Sequence, residues 1–173
     1  MNLALGRWLV TGALAIGMAL GAAPAGSAEP GNDGPPHPYP DGDLILRSYH
    51  PVQPEDLFVG NSPGVWFMTP GGLNCGIFDY KGSFGCEGDI VGAPPGVSHI
   101  AWYNGNIVVR YDPVAAIQFP PGQAERALQP RSYVEYNGTM CATMADTSTY
   151  CRRGPFRFLI TATGTFLSPP ENL

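Results

Sequence analysis

Three groupings in this 173-residue chain have the residue types for chemistry. Glu87 and Asp89 stand two apart, so on a strand they would share a face at roughly 6–7 Å. Carboxylate pairs at that range can run acid–base glycoside hydrolysis, which makes a small secreted, glycosidase-like hydrolase one reading of the chain. Gly88 between them argues instead that the strand is ending and that both acids are solvated. Gly60-Asn61-Ser62-Pro63-Gly64 matches the G-x-S-x-G pattern of a nucleophile elbow. The residue after such a serine must donate its backbone N–H to an oxyanion, and Pro63 has none. Strand-like Gly64-Val65-Trp66-Phe67 follows where a helix is needed, so a turn is the expected role. The third grouping is cysteine, at positions 75, 86, 141 and 151.

The cysteine gaps are too long for the C-x₂₋₄-C spacing of a structural zinc site. Four cysteines allow three pairings, and spacing alone does not choose among them. Turn placement does. Cys75 and Cys86 are equidistant from Tyr80-Lys81, beside Gly82. Cys141 and Cys151 are equidistant from Asp146, in the polar loop Ala145–Ser148. A hairpin turning at each centre sets each pair directly opposite, where antiparallel Cβ atoms are close enough to bridge. The expected disulfides are therefore Cys75–Cys86 and Cys141–Cys151. In the chain-entropy picture each is worth roughly 3 kcal/mol.

No other constellation points to a cofactor or a metal. His37 lies in a proline-rich stretch, His50 precedes Pro51, and His99 opens a strand; no pair has ligand spacing. Asp41-Gly42-Asp43 lacks the remainder of a twelve-residue calcium loop. No glycine-rich segment joins a strand to a helix, so no nucleotide cradle is expected. Binding is carried better. Trp66 and Phe67 are adjacent, as are Trp102 and Tyr103, so on strands one of each pair faces outward. Exposed aromatics can stack on sugars or anchor a protein interface. Arg152-Arg153 is the nucleus of a patch for an anionic partner.

The elements that must position these residues are hairpins. Gly (23) and Pro (19) are abundant and only 13% of residues are charged, against about 25% in an ordinary domain. Asn104-Gly105 is read as joining strands 99–103 and 107–111. Asn137-Gly138 joins 133–136 to 140–143, and Thr163-Gly164 joins 156–162 to 165–167. Asn-Gly suits a type I′ turn, in which both central residues need φ > 0. Only Gln123–Leu128 looks helix-tolerant, confined by Pro121 and Pro130. The expected fold is all-β: a small antiparallel sandwich or barrel of hairpins stapled by two local disulfides.

Residues 1–28 read as a secretory signal peptide, with one charge, Arg7, before an apolar run from Trp8 to Ala23. Cleavage is expected after Ala28, with Ala25 second. The run is shorter than the ~20 residues that span a bilayer, and no cysteine follows it closely, so neither a retained anchor nor a lipoprotein is expected. Residues 29–43 read as a flexible Pro/Gly-rich arm, and 44–173 as a single all-β domain. Without residues 1–28 the chain keeps eight bases against fourteen acids, which argues against a nucleic-acid partner.

The segments FMTPGGLNCGIF, FGCEGDI and YVEYNGTMCATMADTSTYCRRGPFRFLITATGTFL resemble a group of small exported proteins of mycobacteria and related actinobacteria. That group carries a Pro-x-Gly-x-x-Cys unit, a second cysteine about ten residues on, and a Gly-x-x-Cys…Cys…Gly-x-Phe unit. The match covers residues 62–168. It departs from the commoner pattern in holding only four cysteines and in placing Pro155 before the Phe strand. The resemblance implies secretion and disulfides and carries no activity. The combined expectation is a secreted, non-catalytic protein that binds a cell-envelope or extracellular partner. The two cysteine units also share a strand–turn–strand–turn–strand plan, for which common hairpin grammar is the simpler account and an internal duplication the alternative.

Overall fold

In the computed structural model, residues 38–112 and 124–168 are described. Residues 1–28, read above as a signal peptide, most of the expected arm at 29–43, and His37 lie outside them. The chain runs through helix α1 (Gly42–Ser48), β1 (His50–Pro51), a 3-10 turn (Pro54–Leu57), β2 (Val65–Met68), β3 (Asn74–Ile77), β4 (Phe84–Glu87), β5 (His99–Trp102) and β6 (Arg110–Tyr111). It continues through β7 (Ser132–Tyr136), β8 (Thr139–Thr143), β9 (Thr149–Arg153), β10 (Phe156–Ile160) and β11 (Thr165–Ser168). Two sheets form, ordered β2-β3-β4-β5-β6 and β1-β7-β8-β9-β10-β11. They pack as a sandwich, and neither closes into a barrel. The all-β expectation holds, with one short helix added.

Each sheet is a five-strand antiparallel meander, and the two have the same inner face. In the first, the register lines up Phe67, Cys75, Cys86, Ile100 and Tyr111 across five strands. In the second, the row is Val134, Cys141, Cys151, Phe158 and Leu167. Both expected disulfides form, between directly opposed residues with Cα atoms 4.0 and 4.1 Å apart. All four cysteines are fully buried in the core between the sheets. Phe84 and Trp102 of the first sheet meet Phe158 and Phe156 of the second through ring centroids 5.6 and 4.8 Å apart. Burying rings of this size supplies much of the drive to close the sandwich.

The likeness extends to the edges. Segment 50–52, which precedes the first meander, runs parallel to β7 of the second. Segment 126–128, which precedes the second, bridges parallel to β2 of the first: Met68 N–H donates to Arg126 O, and Leu128 N–H to Met68 O. Each meander's first strand is thus edged by the chain leading into the other. This pairing is why the described part of Gln123–Leu128 is extended rather than helical.

Local chemistry explains the turns. Asn137 and Gly138 both take positive φ, 47° and 76°, as a two-residue type I′ turn requires. The Asn104-Gly105 hairpin departs from expectation. Ala101 pairs with Arg110, so the connection widens to 103–109 and Ile107 stands in the loop, 82% exposed. The arm also ends earlier than expected. Asp41 caps α1 through its carboxylate, accepting from Asp43 N–H at 2.8 Å. Tyr39 and Ile45 are buried against Met140, Ala142, Tyr150 and Leu159 on the outer face of the second sheet. The ordered domain therefore begins before Leu44.

Candidate functional site

The two ends of the sandwich differ. At one end the turns of opposite sheets are tied together. Tyr136 Oη donates to the Asp79 carboxylate. Asn137 Nδ2 donates to Asp79 O at 2.9 Å, and Thr139 Oγ1 to Gly82 O at 2.6 Å. The Arg153 guanidinium donates to Asn137 O and lies 5.9 Å from the Trp102 ring. The bond to Asp79, with some burial, raises the Tyr136 hydroxyl pKa above its ordinary value. A pocket of about 380 Å³ here includes Ser62, Asp79 and Tyr136. Ser62 N–H donates to Val59 O in a tight turn, and strand β2 follows. The elbow pattern is a turn.

At the other end the connections 69–73, 88–98, 144–148 and 161–164 meet, and two depressions open. The larger, about 540 Å³, is floored by Leu159, Met144 and Phe166, with Tyr49, Pro38 and Pro40 on one wall. Its polar side carries Asp146, Ser148, Thr161 and Thr163. The smaller, about 260 Å³, lies where the two sheets part. Thr69, Leu73 and Asp89 come from the first sheet's loops, and Thr147, Thr149 and Ile160 from the second. Ser148 and Thr161 line both. Several of these groups are held by local bonds. Asp146 Oδ1 accepts from Ser148 N–H at 3.0 Å, and Thr161 Oγ1 donates to Gly164 O at 2.9 Å. Tyr49 Oη accepts from Ala145 N–H at 3.3 Å, which fixes the ring at the wall.

The aromatic site expected from sequence is not where the structure has surface. Trp66, Phe67 and Trp102 are buried, with 2%, 0% and 4% of their surface exposed, and Tyr103 is partly buried. Phe67 and Trp102 belong to the inter-sheet core. Trp66 points outward but lies flat on its own sheet. Its register neighbours across β3, β4 and β5 are Gly76, Gly85 and Ala101, a row with almost no side chain. A Cβ on Gly76 would sit 2.6 Å from the indole ring. Burial raises the Tyr103 hydroxyl well above its ordinary pKa, with Asp112 adding to it.

The arginine patch also dissolves. Adjacent residues on β9 face opposite ways. Arg152 packs on the backbone of Gly42 and pairs with Asp43 at 3.7 Å, clasping α1 to the sheet. Arg153 clasps the turns at the tied end. Glu87 and Asp89 do not converge. Gly88 takes φ 140°, a conformation outside strand alternation. Glu87 stays in register between Asn74 and His99, while Asp89 is exposed in the smaller depression. His99 is buried, with Nδ1 3.0 Å from Ser98 Oγ. Asp41 and Asp43 serve as the cap and the ion-pair partner described above. Among the described residues no group of three or more His, Cys, Asp or Glu side chains is placed to hold a metal, and no helix is long and apolar enough to cross a membrane.

No family model, curated protein or solved structure matches this chain. The site reading therefore rests on its own geometry. Sequence reasoning missed the depressions because their walls come from four separated turns. Its one local signal is the hydroxyl-rich Asp146-Thr147-Ser148-Thr149 at the centre of the second cysteine hairpin.

Proposed function

We propose that the chain is an exported, non-catalytic binding domain, and that its partner in the cell envelope or outside the cell is held at the open end of the sandwich. The observation that carries this reading is the pair of adjoining depressions. Their combination of an apolar floor and a few fixed polar groups is the usual composition of a ligand site, and each is of ligand-bearing or near ligand-bearing volume. No nucleophile–base pair or converging carboxylate pair stands among their described lining residues, which favours binding over hydrolysis. Export is supported by the two buried disulfides, which belong to oxidising compartments, and by the signal-like residues 1–28.

The test has two parts. N-terminal sequencing of protein recovered outside the cytoplasm should find a chain beginning after Ala28 or Ala25. The mature chain, immobilised, should retain a component of envelope extract, and Thr161→Trp, which fills the wall shared by both depressions, should abolish that retention. Retention unchanged in the Thr161→Trp variant would place the partner elsewhere on the surface.

A further inference from the structure

Ser148 and Thr161 line both depressions, so the two adjoin across these side chains and together make one valley-like surface. We infer that this valley binds a neutral, polyhydroxylated chain, a short oligosaccharide, with at least one sugar unit in each depression. The inference deepens the binding reading above and rests on it.

Charge selects the class. Among the described residues no lysine or arginine lines either depression, while Asp146 lines the larger and Asp89 the smaller. Among the described lining residues there is no cation to neutralise a phosphate, sulfate or uronate, and the two carboxylates repel all three. The polar inventory is otherwise hydroxyl. Thr147 is exposed alongside Asp89 in the smaller depression, where Thr69, Ser148 and Thr149 are largely buried, and Thr161 and Thr163 stand in the larger. Carboxylates and hydroxyls accept from, and hydroxyls donate to, the hydroxyls of a sugar, and a charged acceptor makes the stronger bond.

Phe166 and Tyr49, on different sides of the larger depression, supply the apolar contact. Phe166 is 42% exposed and Tyr49 is half-buried, held by its bond to Ala145. Ring faces of this kind pack against the C–H face of a pyranose. An extended peptide is the rival occupant. It would draw its affinity from main-chain pairing along a free strand edge, whereas the valley crosses the turns at the ends of strands. A ligand that needs two polar anchors and an intervening apolar face, repeated along a chain, fits this arrangement.

Calorimetric titration of the full mature chain tests this, with maltohexaose, cellohexaose and chitotetraose as neutral probes and hexagalacturonate as the anionic one. The expected result is binding of at least one neutral probe with little change on adding about 0.5 M salt, because no ion pair is involved. Phe166→Ala and Asp89→Asn should each weaken it by about tenfold or more. Hexagalacturonate should bind at least about tenfold more weakly than the neutral probe. NMR amide shifts in the unmutated protein should cluster at 144–148 and 161–166, a readout that stands even if a variant folds poorly. Three outcomes overturn the inference: no neutral probe binds, hexagalacturonate binds as well as the neutral probes, or the shifts fall outside the valley. If no neutral probe binds but envelope capture still depends on Thr161, the binding reading survives and the sugar assignment fails. If capture is also lost from the unmutated chain, both fall.

Discussion

Strands β2–β6 and strands β7–β11 carry the same inner row, with a disulfide joining the second and third strands of each, but cover their outer faces by different means. The first meander closes its outer face with a side chain of its own: Trp66 lies across Gly76, Gly85 and Ala101. The second has larger residues there, Ala142, Tyr150 and Leu159, and borrows Tyr39 and Ile45 from the preceding segment. A cover laid on from outside need not fill every space. The 540 Å³ depression sits where that cover stops, between Pro38, Pro40 and Tyr49 on one side and the β10–β11 hairpin on the other. Connection length adds to the asymmetry. Residues 88–98 join β4 to β5 at the open end, whereas only 154–155 join the corresponding strands β9 and β10 at the tied end. The shared rows build the core, and the differences between the meanders place the depressions.

The comparison can be broken most severely at the disulfides. Replacing either pair by alanines should cost about 2–5 kcal/mol of unfolding free energy. The two losses should be nearly equal, because the bridged residues are separated by 11 and 10 positions and hold equivalent places in the rows. Urea titration of both variants checks this, and a large inequality would mean that the halves are not equivalent.

The outer faces should then respond differently. Trp66→Ala empties a slot inside one sheet and should cost about 3–5 kcal/mol, lowering the stability of the whole domain. Ile45→Ala should cost about 2–4 kcal/mol, and its first effect should be faster hydrogen exchange confined to α1, because the borrowed cover can lift before the sheets separate. Gly76→Ala should cost about 1–3 kcal/mol through its clash with the Trp66 ring, and Trp66→Phe should relieve part of that cost. Non-additivity in the double variant measures the contact.

Alkaline pH should strain both covers more gently. Tyr39 and Tyr150 in the borrowed cover have hydroxyl pKa values raised by burial, and so does Tyr103 on the first meander. An unfolded tyrosine loses its proton near pH 10. Above that pH the unfolded state therefore holds fewer protons than the folded one. Stability should be level below about pH 10 and fall as pH rises toward the folded values. Unfolding midpoints measured from pH 8 to 11 test the sign. Tyr39→Phe should make the decline shallower.

The cysteine pairing was legible because Tyr80-Lys81 and Asp146 sit midway between partners, and an antiparallel register is set by its turn centre. Asn137-Gly138 was legible for the same reason. Asn104-Gly105 misled because a turn dipeptide does not fix how wide its loop becomes, and Ile107 has the composition of a strand residue while standing in solvent. α1 was hidden because its helical signal is only one cap, Asp41, and two turns of chain beside a proline-rich stretch. The burial of Trp66 depended on three small residues on three other strands, a coincidence visible only in register. The separation of Arg152 from Arg153 followed from strand alternation alone, whereas that of Glu87 from Asp89 required the positive φ of Gly88. The valley was illegible because it belongs to no single segment.

Peptide mapping of the chain under non-reducing conditions tests the account at its centre. The account predicts two cross-linked species, Cys75–Cys86 and Cys141–Cys151, on a chain without free thiols. A bridge between the two meanders, or thiols left free, would contradict it.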